Sequence, residues 1–449
     1  MKQVVRVLAT YSADLFGINS ALYELGGLVV MHDASGCNST YNTHDEPRWY
    51  TMDSMLYISG LVENDVILGN DEKLINDICE AAEEMHPKFI SVSAGFIPLF
   101  MSTDMKGIAK IIEKRTGIPS FGFTTDAVKS YVIGAGEAFR KIAERFCPAE
   151  RPPRISELFD RSEADGKSET SGKYGVNLLG VTPLDFSIVG NVEALEDRFE
   201  KAGLRVDCAM AMGYSLEEIA QMGASDVNVV VSSTGLETAK LLRERYGMPY
   251  VIGIPIAKKS GDAFIETVKK SIEDGRCRSI AVKDLDEKLL SEPEDYNALL
   301  KTFSVEQRGT SGTFIVGEPV FAASLRYFLE KDFGTEDVHI VCPTEKECQL
   351  LMSGDVMSHE EEEIEACFAG ADTVIADPIY RRVLPYDRHV RFVDFPHEAY
   401  SGRMYRSHIP VFTGGDFAER MKYLLSHEEE IAHNDIWVHN EPFAKKPKY

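Results

Sequence analysis

The sequence predicts an α/β protein built from three similar parallel-sheet domains arranged around a central cleft. Three observations predict it. The chain has 449 residues, more than one core at roughly 100–200 residues per domain. Short apolar runs alternate with helix-period stretches, the pattern of buried parallel strands joined by crossover helices. The same order of runs also recurs three times along the chain.

The repeat opens with apolar runs at 4–8 (VVRVL), 176–181 (VNLLGV) and 313–317 (TFIVG). Each leads into a turn and a helical stretch. In the second copy this stretch is 191–202, where Val192, Leu195 and Phe199 share one face. Second strands are expected at 27–31, 204–208 and 338–342, and third strands at 89–93, 227–231 and 372–376. Fourth strands follow the Gly-Ile-Pro turn at 117–121 and the Gly-Met-Pro turn at 247–251. The third copy ends less regularly, at 390–395 and 408–412. Polar, Pro- and Ser-containing segments at 148–173 and 284–312 separate the copies. They set domains of 1–172, 173–311 and 312–449, each Rossmann-like in its βαβ order.

In open parallel sheets, ligands sit beyond the carboxyl ends of the strands. The loops to watch are therefore 33–37, 93–98, 182–186, 232–235, 318–319, 377–378 and 395–402, which can converge on one central cavity. None of the first βα turns carries GxGxxG, and GxxxxGK[ST] does not occur. A conventional dinucleotide site and an ATP site on this chain are not expected.

Composition narrows the partners. Lys plus Arg number 48 against 72 Asp plus Glu, a formal charge of −24. Nucleic acid and anionic membrane are poor partners for such a chain, because both are gripped by basic patches. No apolar run approaches the roughly 18 residues of a membrane span. The N-terminal stretch reads as strand, turn and helix, not as a signal peptide. Eight cysteines lie scattered without a CxxC, as expected of buried thiols in a reducing cytoplasm.

One cysteine is placed differently. Cys37 follows a predicted strand and Gly36. A glycine there permits a tight turn, and outward backbone amides would lower the thiol pKa and suit a metal or cluster. His397, in the loop 395–402, is a second candidate, since a neutral imidazole is a natural proton donor beside a substrate.

The run His32-x-x-x-Gly36-Cys37, the segment 61–69 (LVENDVILG), the strand 87–93 (PKFISVS) and Gly117-Ile118-Pro119 resemble the first domain of the nitrogenase component 1 family. The resemblance continues at 176–180, 245–250 (RYGMPY), Phe395-Pro396 and the Gly-Gly-Asp-Phe starting at Gly414. It implies an oxidoreductase subunit that receives electrons from a separate ATP-hydrolysing iron protein. An interface 4Fe–4S cluster would relay them to a small-molecule substrate. Cys37 matches the first of three family cluster cysteines. The second would fall near Leu56 and the third near Gly95-Phe96, and neither position carries sulfur; Cys79, on an apolar helical face, reads as core. A cubane needs four ligands, so the resemblance implies a β-like subunit giving Cys37, with Gly36 and Gly95 at the cofactor loops. An α-like partner would supply three cysteines. The family's large-cofactor cysteine would fall at 231–233, which holds none. His397 stands one residue off the family's spacing to Tyr400-Ser401-Gly402. A non-catalytic scaffold for metallocofactor assembly and a cluster-free binding module remain the alternatives.

Overall fold

The computed structural model describes residues 5–157, 172–280, 310–344, 350–352 and 354–427. Most of both expected interdomain segments, and Cys348, lie outside the described residues. Three all-parallel sheets form. The first has four strands: β1 (Leu28–His32), β2 (Met55–Ile58), β3 (Ile90–Ala94) and β4 (Ser120–Phe123). The second comprises β5 (Gly175–Leu179), β6 (Arg205–Ala209), β7 (Val227–Val230), β8 (Tyr250–Ile252) and β9 (Arg278–Ser279). The third contains β10 (Thr313–Val316), β11 (Val338–Cys342), β12 (Val356–Met357), β13 (Thr373–Ala376) and β14 (Arg391–Asp394). The spatial orders are β2-β1-β3-β4, β6-β5-β7-β8-β9 and β12-β11-β10-β13-β14. In every sheet the chain enters at an inner strand, steps to one side, then crosses back to the other.

The repeat is therefore real, but its first copy is shifted by one strand. Of the run at 4–8, the described residues 5–8 form no strand. β1 takes the entering position, and β2, unassigned from sequence, forms the edge beside it, with Val29 opposite Leu56. The N-terminal segment instead crosses the third domain. The backbone amides of Arg6 and Val7 both donate to Glu361 Oε1 at 2.7 Å, and Thr10 and Tyr11 donate to the carbonyls of Tyr400 and Ala399. Val5 and Leu8 stay exposed, so the run's alternation never enters a sheet. In the third copy, 408–412 forms no strand either, and the short β12 extends the opposite edge.

Two helices fix the first domain against the rest. Asp14–Leu22 and Tyr131–Phe146 pack backbone to backbone. A Cβ on Gly134 would stand 1.9 Å from the Asp14 carbonyl oxygen, and one on Gly17 2.0 Å from that of Tyr131. Only glycine allows this approach, and it places Tyr131 at the junction of all three domains. One apolar core runs continuously through them, from Leu15 and Phe139 through Leu178 and Phe199 to Phe328 and Phe395.

Candidate functional site

Cys37 lies at the carboxyl end of the first sheet, exposed on the short helix Ser35–Thr40 that follows β1. The loops after β1 and β2 are tied together there. His32 Nδ1 is 2.8 Å from Ser59 Oγ, and the Leu61 amide donates to the Asp33 carbonyl. Asp33 also accepts from the Ala34 amide and the Asn38 side chain. Gly95, which opens the loop after β3, abuts the same carboxylate: a Cβ there would meet Asp33 Oδ2 at 2.0 Å. Its smallness thus serves the packing of two loops.

Two sequence expectations change here. Gly36 sits inside the helix and not in a tight turn, with open space where its Cβ would be. The Cys37 amide is engaged by the Ala34 carbonyl. The thiol pKa is raised, not lowered: burial and then the Asp33 carboxylate push it up, because the charge beside it is an anion. Of the other family positions, Leu56 is buried in the core and Phe96 is exposed. Cys79 packs at the edge of the first-domain core. Around this end of the sheet, Val62, Ile67 and Leu68 follow β2 and Phe96 and Phe100 follow β3, all exposed. Clustered exposed apolar side chains of this kind mark association surfaces.

A second constellation lies where the other carboxyl ends meet. Thr182 caps the short helix Pro183–Phe186 after β5 and so presents Asp185. The Tyr131 hydroxyl donates to Asp185 Oδ1 at 2.5 Å and Ser232, from the loop after β7, to Oδ2 at 2.7 Å. Ser233 donates to Glu318 Oε2 at 2.9 Å. Glu318 follows β10 and caps the helix Pro319–Phe328 by accepting from Val320 and Phe321. Asp377, after β13, accepts from the Ser401 hydroxyl and from the His397 amide. His397 follows β14. Its Nδ1 accepts from the Ala399 amide at 3.2 Å, so the neutral ring carries its proton on Nε2, 3.5 Å from Asp185 Oδ1. Its ring packs against those of Tyr131 and Tyr400.

Three buried carboxyl groups thus share one junction with a single imidazole. Burial, and then the Asp185 charge, push Glu318 up to about 8. Burial pushes Asp377 up to about 6 against the bonds it accepts. Burial and the Asp185 charge thus favour the protonated form of Glu318. Among the described residues, no group of three or more His, Cys, Asp or Glu is placed to hold a metal ion.

Five of the loops singled out by the strand-end rule do converge here. Asp185, Tyr131, Glu318 and Asp377 were missed as site residues; their only sequence signal was position, at strand ends or at a helix start. The expected central cavity is occupied by these side chains. The adjoining open space is a cleft of about 970 Å³ between the N-terminal segment, the first domain and the third. His397 does not line it, but its ring neighbours Tyr131 and Tyr400 do. The residues present do not fit a large metallocofactor at this junction: 231–233 lacks sulfur, and Ser232 and Ser233 are committed to Asp185 and Glu318. A cubane at Cys37 fits only with ligands from a second chain.

Three all-parallel sheets flanked by helices, with strand-end loops meeting at one junction, define an α/β protein of the nitrogenase type. Comparison with known proteins makes the assignment specific. The model of the nitrogenase component 1 type oxidoreductases matches residues 25–373, and the chain belongs to that family. A nitrogenase iron-molybdenum cofactor biosynthesis protein NifE of Rippkaea orientalis is 24% identical over 342 residues, covering 72% of this chain and 66% of the relative. One of the subunits of the light-independent protochlorophyllide reductase of Prosthecochloris aestuarii is 25% identical, covering 36% of this chain and 32% of that one. The chain thus spans from about a third to two thirds of the length of these relatives. A solved nitrogenase structure, Cp1 at pH 6.5, superposes with a TM-score of 0.60 at 14% identity over 95% of this chain and 93% of its own, a likeness of fold.

Proposed function

We propose that the chain is the one-cysteine, β-like subunit of a nitrogenase-like, ATP-dependent reductase working in the cytoplasm. The observation that carries this reading is Cys37: the family's cluster position, exposed at the sheet end beside an uncovered apolar surface. A partner subunit with three cysteines would complete a 4Fe–4S set across that surface. A separate ATP-hydrolysing iron protein would be the electron source. The cluster would supply one-electron transfer. This chain's own residues would do the rest. Asp33, Asn38 and Ser59 hold the Cys37 loop in shape. Tyr131, Asp185 and His397 hold a proton next to the cleft, where a small-molecule substrate would sit.

The test is anaerobic purification of the chain with and without a three-cysteine partner, with iron analysis and visible spectra. The expected result is brown protein with about four irons per heterodimer, lost or sharply altered in Cys37→Ala. Colourless protein in both preparations refutes it. The role of the NifE relative in cofactor biosynthesis favours a second reading, a scaffold that holds a metallocofactor during assembly. Substrate reduction that depends on ATP and the iron protein separates the two.

A further inference from the structure

Five buried side-chain atoms without a hydrogen-bond partner come together at one seam of the first domain. They are Asn19 Oδ1 and Nδ2, Ser20 Oγ, the Tyr41 hydroxyl and Asn42 Oδ1. Asn19 and Ser20 are neighbours on the helix Asp14–Leu22. Tyr41 and Asn42 open the π-helical turn Tyr41–Asp45, which continues the short helix carrying Cys37. The two elements meet across the seam. The ring centroid of Tyr41 lies 5.0 Å from that of Phe16, one helical turn before Ser20. Burial pushes the Tyr41 phenol well above its ordinary value, while the adjacent Ser20 hydroxyl acts the other way. Asn19, Ser20 and Tyr41 are fully buried, and Asn42 is 7% exposed.

Native interiors rarely strand polar atoms in this way, because each missing partner leaves the full desolvation of the group uncompensated. The charged neighbours are already engaged. Arg48 donates to Glu46, to Glu24 and to the carbonyls of Ala211 and Ser20. Asp45 is held by the Tyr11 hydroxyl and by Arg403. The five unpartnered atoms are two amide oxygens, one amide nitrogen and two hydroxyls, all uncharged. Such a mixture suits a molecule that both donates and accepts. The turn is a second sign. The Glu46 amide reaches back five residues to the Tyr41 carbonyl at 3.1 Å, and inserted water is one recognised cause of a break in the regular helical ladder.

We propose that this seam binds ordered internal water, which bridges the Tyr41 hydroxyl to at least one of Asn19, Ser20 and Asn42. A buried water makes about three hydrogen bonds to otherwise unsatisfied groups, so about two molecules serve all five atoms. The bridge seats the π-turn on the helix Asp14–Leu22. It thereby sets the register between Cys37, just before the turn, and Asp45 at its end, which Arg403 ties to the third domain. The site does not depend on the reductase reading, because no cluster or partner enters it.

The experiment is a crystal structure of the full chain, at a resolution that shows water, for wild type and Tyr41→Phe, with urea unfolding of both. Wild type should show water density about 2.5–3.0 Å from the Tyr41 hydroxyl and within hydrogen-bond reach of one of the other three side chains. In Tyr41→Phe the bridge loses a partner, and the unfolding equilibrium should shift about threefold to tenfold toward the unfolded state. Tyr423→Phe, at an exposed position on the helix Phe417–Ser426, should leave it unchanged. A dry seam makes the opposite prediction: removing a stranded hydroxyl leaves stability unchanged or raised. That result overturns the proposal. So does a map with no water at Tyr41, with a metal ion in the seam, or with a direct Ser20–Tyr41 bond in place of the bridge. If Tyr41→Phe fails to fold, the wild-type map decides alone. Neither measurement needs iron or a partner. A failure here therefore leaves the reductase reading standing, and colourless protein leaves this one standing.

Discussion

Replacing Glu318 by glutamine tests the buried proton array directly. In the folded chain Glu318 is pushed up to about 8 by burial and by Asp185, from an ordinary value of 4.5. The folded state thus binds this proton more tightly than the unfolded chain does. Its contribution to stability is complete below pH 4.5 and is lost as pH rises through about 8. Between about pH 5 and pH 8 the unfolded chain gives up the proton while the folded chain largely keeps it. At about 1.4 kcal/mol per pH unit, wild type should lose roughly 3 kcal/mol from this group over that interval. Glu318→Gln does not titrate; its one carbonyl oxygen can keep the bond from Phe321 or the one from Val320, which go to different oxygens of the carboxylate, so the variant also carries a loss that does not depend on pH. Asp377, also raised to about 6, is present in both proteins and cancels in the comparison. Urea unfolding at several pH values should therefore show the variant gaining on wild type steadily as pH rises, by about 3 kcal/mol in all. Two parallel pH profiles would refute the reasoning, since they would mean that Glu318 ionises at the junction as it does in water.

Three further outcomes follow from named contacts. Gly134→Ala drives a methyl to 1.9 Å from the Asp14 carbonyl; thermal unfolding should show a loss of about 1–3 kcal/mol, and a smaller effect would show that the two helices separate easily. Arg326 donates to both Asp355 oxygens and to the Leu350 carbonyl in a buried pair. Arg326→Leu strands that carboxylate and should cost about 3–5 kcal/mol in chemical denaturation. Phe96→Ser with Phe100→Ser removes an exposed aromatic pair packed edge to face. The isolated chain should unfold as before, while sedimentation should show weaker association with the proposed three-cysteine partner.

The three sheets were legible because buried parallel strands must be apolar along their whole length, and that pattern survives in sequence. The runs at 176–181, 227–231 and 372–376 became β5, β7 and β13 almost residue for residue. The run at 4–8 failed for a physical reason. The amides of Arg6 and Val7 within it are satisfied by the Glu361 carboxylate, and no local pattern foretells so distant an acceptor. β2 was missed because its four residues, Met-Leu-Tyr-Ile, are too short to separate from a loop. The strand-end rule found the loops of the junction, but not which side chains in them would meet.

By itself, the sequence determined the parallel-sheet class, the threefold repeat and the acidic balance, and singled out Cys37 among eight cysteines. These depend on residue type and spacing along one chain. The tertiary structure alone decided where the segment from residue 5 onward lies, that burial and then the Asp33 carboxylate raise the Cys37 thiol pKa, and that the junction is filled by Tyr131, Asp185, Glu318 and His397 while the open cleft lies to one side. Each of these depends on groups far apart in sequence but angstroms apart in space, where burial and neighbouring charge set the chemistry.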